Sequence, residues 1–260
     1  MLPVIQIGSL ALQTPGLIIL LGFWLALEMA GRQGARHGLN RNVIPSAGSY
    51  GALTGIVGAR LGYVIQHWPV YRENLLGVLA LNPQTLQPAA GLLAGVVVAG
   101  LYLRCRGVPL RPLLDAATPG LAVFVSALAL ANFASGEAFG AETSVPWAIY
   151  LWNAPRHPVQ LYELAGGLVI LLLLWQAGRD VPTPGLLFLL FVALYGGARL
   201  LLEPFRASSA AIFGGLRAAQ VTGLGATLAA LWLMRVWSVE HSPTPQRGAT
   251  GAENGLTGNR

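Results

Sequence analysis

Long apolar runs separated by short polar stretches set the pattern of this chain. They cover roughly residues 10–29, 46–65, 89–103, 115–135, 159–177, 184–203 and 216–237. A bilayer core is crossed by helices of about 20 apolar residues or by closed barrels of much shorter strands. The runs are too long for barrel strands, so the pattern predicts an all-α integral membrane protein. About seven transmembrane helices would form one polytopic domain over residues 1–237. Pro204 ends the sixth run, because proline has no N–H and clashes with the preceding turn. Two longer connections, 66–87 and 136–158, carry Trp68, Tyr71, Trp147, Tyr150 and Trp152 with few charges. Such composition suits arms lying at the membrane interface. Residues 238–260 are rich in Gly, Pro, Ser and Thr and read as a disordered tail. The first residues hold no basic cluster of the kind that opens a signal peptide.

Composition agrees. The chain is 54% hydrophobic and 10% charged, with a mean hydropathy of +0.59, where soluble domains carry about 25% charge. The net charge of +6 comes from arginine alone, since there is no lysine. Arginines follow the odd-numbered runs: 32, 36 and 41, then 104, 106 and 111, then 179, then 235. The positive-inside rule puts those ends in the cytoplasm, the N-terminus outside and the tail inside. Both aromatic arms then lie on the extracytoplasmic side. Arginines spread in this way make no nucleic-acid patch. Gly51, Gly55, Gly58 and Gly62 share one helix face, a pattern for close helix packing. The single cysteine, Cys105, excludes an intramolecular disulfide. No metal-ligand spacing, phosphate loop or nucleophile elbow is present, so neither a metal nor a cofactor is expected.

Candidate chemistry gathers at the outer ends of the helices. Arg156, His157, Gln160, Tyr162 and Glu163 open the fifth run. Asn132, Gly136, Glu137 and Gly140 close the fourth. Tyr195, Arg199 and Glu203 are spaced by four along the sixth, and Arg206 follows. Spacing by four stacks them on one helix face. Polar groups this close to lipid face protein-lined cavities. A guanidinium there can grip a phosphate bidentately, or simply pair with Glu203. Glu137 is a candidate acid or base at the pocket mouth. His157 is either a helix cap or a proton carrier. Arg60, deep in the second run, requires a carboxylate or carbonyl partner, and Glu163 and Glu203 are both candidates.

These stretches resemble the bacterial prolipoprotein diacylglyceryl transferases. Arg156-His157-Pro158-x-Gln160-Leu161-Tyr162-Glu163 and Asn132-Phe133-x-x-Gly136-Glu137-x-x-Gly140 are similar to that family's signatures. Gly58 to Tyr63, Asp115 with Pro119, and Tyr195 through Arg199, Glu203 and Arg206 follow the same order. The resemblance implies transfer of the diacylglyceryl group of phosphatidylglycerol to the lipobox cysteine of an exported prolipoprotein, with release of glycerol phosphate. The partners would be phosphatidylglycerol, the prolipoprotein signal peptide with its lipobox cysteine, and membrane lipids. It implies catalytic roles for Arg199, Glu137, His157 and Tyr195. Asn132, Gly136, Gly140, Arg60, Arg156, Gln160, Tyr162, Glu163, Glu203 and Arg206 would bind substrate. The chain departs from the family pattern at Pro15, Ala89-Ala90-Gly91, Ala129, Ser135 and Ala141, where the family has Tyr, His-Gly-Gly, Arg, Asn and Arg. Two readings therefore stand: transfer with the remaining groups, or a degenerate member that binds phospholipid or lipoprotein without transferring. A repeat-built transporter is disfavoured, because its two halves should carry matched broken helices.

Overall fold

Helix α1, Thr14–Arg36, starts four residues later than the apolar run, because Leu10–Gln13 (β2) pairs antiparallel with Val4–Ile7 (β1). The computed structural model describes residues 4–7, 10–73, 75–79, 85–178, 183–207, 211–213 and 216–240. Arg179 and the polar segment 241–260, expected to be disordered, lie outside the described residues. The remaining helices are α2 (Val43–Gln66), the short α3 (Trp68–Tyr71), α4 (Pro88–Cys105), α5 (Leu110–Ser135), α6 (Val159–Ala177), α7 (Leu186–Leu202) and α8 (Ala218–Glu240).

Among the described residues, six helices are long and apolar enough to cross a membrane: α1, α4, α5, α6, α7 and α8. The expected second span, α2, is as long at 24 residues. Its glycines, Ser46, Ser49, Thr54 and Arg60 make it less apolar than the other six.

Packing explains the glycines. Gly51, Gly55 and Gly58 lie against Gly91, Gly95 and Ala94 of α4. A Cβ on Gly95 would sit 2.7 Å from the Gly51 carbonyl oxygen. Backbones this close allow helices to associate without large side chains. Elsewhere α5 is central: α1 runs along one side, α6 along another, and α7 pairs with α8. Gly120 of α5 faces the Ala26 carbonyl so closely that a Cβ there has no room.

Asp115 fixes the start of α7. It is buried and accepts hydrogen bonds from the backbone N–H of Gly185 (2.5 Å) and Phe188 (2.9 Å). It thus caps a helix in another part of the chain, using donors that the first turn leaves unpaired. Asp115→Ala should lower stability by about 2 kcal/mol, seen as an earlier thermal midpoint in detergent, with Asp115→Asn recovering part of it.

Candidate functional site

Three chain segments converge at the ends of α5, α6 and α7. Gly136, at φ 75°, takes the left-handed conformation that ends α5. The chain then runs beside the α7 end: Gly140 bridges Arg206, Ala141 N–H donates to the Phe205 carbonyl (2.7 Å), and Ala207 N–H donates to that of Phe139 (3.1 Å). Gly140 lies so close to the His157 carbonyl that no side chain fits. The expected arm contains a hairpin, β3 (Ile149–Leu151) with β4 (Ala154–Arg156), turning at Trp152 and Asn153 with φ 52° and 62°. Positive φ at both turn residues matches the twist of paired strands.

Inside this frame lies a cavity of about 340 Å³ lined by Asn132, Glu163, Tyr195, Arg199 and Arg206 among others. Arg199 spans two carboxylates, Nη1 on Glu163 Oε1 (2.8 Å) and Nη2 on Glu203 Oε2 (2.7 Å). Arg206 Nη1 shares the same Glu163 oxygen at 2.6 Å. Glu203 is only 2% exposed, in the 3₁₀ turn Glu203–Phe205 at the end of α7. The α7 spacing of four therefore does bring Tyr195, Arg199 and Glu203 together. In contrast to the arginines, the side chains of Asn132, Tyr195 and Glu137 hydrogen-bond no other described residue. Donors and acceptors of that kind, beside a guanidinium pair, remain open to a ligand.

The other expected site residues lie around this cavity. Asn132 also borders a second cavity of about 320 Å³, with Pro15, Ser135 and Glu137. Glu137 is exposed there, and its carbonyl accepts from the Gln160 side chain (2.8 Å), which is buried. Arg156 braces the loop: it donates to the carbonyls of Leu151 and Gly140, pairs with Glu142 at 3.1 Å, and covers Phe139. His157 lies outside the cavity lining, against Phe205 and Tyr162, with Nδ1 3.4 Å from the Tyr162 hydroxyl. That hydroxyl also takes the Trp147 indole N–H at 2.6 Å.

Arg60 corrects one expectation. Its partner is neither Glu163 nor Glu203. It is buried under the arm after α3, donating to the carbonyls of Gly77, Val78 and Thr85 and lying over Tyr71. Backbone carbonyls satisfy it, as a buried charge requires.

Sequence reasoning missed Arg217. Its guanidinium donates to the carbonyls of Glu203 and Arg206 and so clamps the turn that carries both. Its one sequence signal is position, an arginine at the very start of the last apolar run. Arg217→Gln should let Arg206 drift and lower the activity of the site roughly tenfold, with a larger effect on kcat than on KM. Equal kinetics would rule the clamp out.

Comparison with known proteins turns this geometry into an assignment. The family model for prolipoprotein diacylglyceryl transferase matches residues 3–236. The phosphatidylglycerol–prolipoprotein diacylglyceryl transferase of Brucella anthropi is 32% identical over 254 residues, covering 89% of this chain and 90% of that protein. The enzyme of the same name from Geobacter sulfurreducens is 34% identical over 209 residues, covering 77% and 80%. The chain belongs to the prolipoprotein diacylglyceryl transferases. It is a transferase of lipoprotein biosynthesis, built on membrane helices.

Within that family, the positions that depart from the expected pattern fall in different places. Ala129 lines the main cavity one turn before Asn132, and Pro15 lines the second. Ala89 is exposed in the first turn of α4, away from both.

Proposed function

We propose that this chain transfers the diacylglyceryl group of phosphatidylglycerol to the lipobox cysteine of exported prolipoproteins. The observation that carries the reading is the convergence of Arg199 and Arg206 on one Glu163 oxygen beside Asn132 and Tyr195. An incoming phosphate displaces Glu163 from the guanidiniums, since it offers the same bidentate acceptor geometry with more charge. Asn132 and Tyr195 orient the headgroup. Glu203 stays beneath Arg199 and keeps its fork aimed at the cavity.

The substrate cysteine sulfur attacks the glyceryl carbon bonded to the phosphate oxygen. A C–S bond forms, the C–O bond breaks, and glycerol phosphate leaves with the electron pair. Arg199 stabilises the charge that grows on the leaving phosphate. A thiol of pKa ~8.5 is only a few per cent ionised at neutral pH, so loss of its proton needs help. In this reading Glu137, exposed beside the second cavity that Asn132 also borders, accepts that proton. His157 and Tyr162 act from the rim, with Gly136, Gly140, Arg156 and Gln160 holding the loop that frames it. Arg60 holds the arm after α3 and reaches substrate only through it.

In this reading α2 completes a set of seven membrane crossings, and the cavity opens on the extracytoplasmic side, where exported prolipoproteins arrive. The arginine-rich ends of α1 and α4 and the C-terminal segment then face the cytoplasm of the bacterial plasma membrane. The degenerate reading is not favoured over transfer, because the open polar groups and the ion-paired arginines are retained beside Ala129.

Expression in a bacterium depleted of its own transferase tests the proposal. Diacylated lipoprotein and restored growth are expected; a correctly inserted protein that gives neither contradicts it. Ala129→Arg adds a guanidinium at the cavity wall and should raise activity several-fold, measured as initial rate.

A further inference from the structure

A cavity of about 620 Å³ is at the other end of the bundle from the proposed active site. Its floor is Pro119 of α5, about 20 Å along that helix from Asn132. Its walls are α1 and α6, which both pack on α5 and leave a cleft between them. From α1 come Arg32, Gln33 and Arg36; from α6 come Leu171 and Trp175. The volume lies in the range of about 300–1,000 Å³ that suits small ligands.

The lining is sorted along the bundle axis. Apolar side chains form the wall, and the arginines stand at its rim, at the end of α1. Arg32 pairs with Glu28 at 2.7 Å, and Arg41 pairs with the same carboxylate. Among the described residues, Arg36 hydrogen-bonds only the Gln33 side-chain oxygen, at 3.3 Å. Arg32 and Arg41 thus share one carboxylate while Arg36 meets none, and the described rim is positive. Trp175, 66% exposed, stands where an indole meets the membrane interface.

We infer that this cleft binds one anionic phospholipid from the leaflet at the arginine-rich end, with its phosphate on Arg32 and Arg36 and an acyl chain along Leu171, Trp175 and Pro119. A positive rim over an apolar slot complements an anionic amphiphile. The site is separate from the transfer reaction and holds lipid without turning it over.

Brominated lipids quench nearby tryptophan and supply the test. The full chain is placed in phosphatidylcholine nanodiscs carrying either brominated phosphatidylserine or brominated phosphatidylcholine. The Trp175 signal is isolated by subtracting a Trp175→Phe variant. Phosphatidylserine should quench about tenfold more effectively per mole, as two arginines at a headgroup surface imply. Arg32→Gln with Arg36→Gln should abolish the preference. Both side chains are exposed, so folding is not at stake. Arg104→Gln with Arg106→Gln removes equal charge from the same end and should leave the preference intact, as should Arg199→Lys. Equal quenching by the two lipids overturns the site. So does a preference that survives the first pair or is lost with the second.

Discussion

Arg199→Lys should lower transfer by about two orders of magnitude, the usual cost of removing one charge-stabilising donor, and leave the fold intact. Lysine keeps the positive charge, so Glu203 remains paired below the cavity. It cannot span Glu163 and Glu203 as the guanidinium fork does, at 2.8 and 2.7 Å. Nor can it present two parallel N–H groups to a phosphate. The check is initial rate on a lipobox peptide with phosphatidylglycerol in mixed micelles, alongside a thermal midpoint. A wild-type rate would remove Arg199 from the chemistry. A collapsed midpoint would mean that its role is structural.

The second large effect falls on stability. Glu203 is 2% exposed and holds Arg199 Nη2 at 2.7 Å. Breaking a buried ion pair from one side is costly, about 3 kcal/mol at the low end of the range here, because Arg199 keeps Glu163 at 2.8 Å while the space left by the Glu203 carboxylate stays buried. Glu203→Leu should therefore unfold far earlier in detergent than Arg199→Lys, which keeps both charges. Glu203→Gln, which can still accept a hydrogen bond, should fall between them. If all three melt together, Glu203 is not the anchor of the cluster.

Much of this architecture could be read from residues alone. Apolar runs marked the long helices, since a membrane leaves few other options. The spacing of Tyr195, Arg199 and Glu203 announced a shared face; on it Tyr195 and Arg199 line the cavity, and buried Glu203 pairs with Arg199. Pairing between distant segments was less legible. The start of α1 depended on Leu10–Gln13 finding Val4–Ile7. Arg60 could have met a carboxylate or a carbonyl; the arm that folds over it decided for carbonyls. His157 sits within a signature that drew attention to catalysis, yet its ring packs on Phe205, because β4 and the start of α6 turn it away from Arg199. Arg217 acts on backbone carbonyls, which every residue possesses, so no side-chain motif could reveal it.

The most direct test is a mass measurement on the purified, full-length protein. It is incubated with phosphatidylglycerol carrying deuterated acyl chains and a peptide containing a lipobox cysteine. The account predicts a peptide heavier by one deuterated diacylglyceryl group on sulfur, with an equal amount of glycerol phosphate released. Bound lipid with an unmodified peptide, or free diacylglycerol with no thioether, would contradict it.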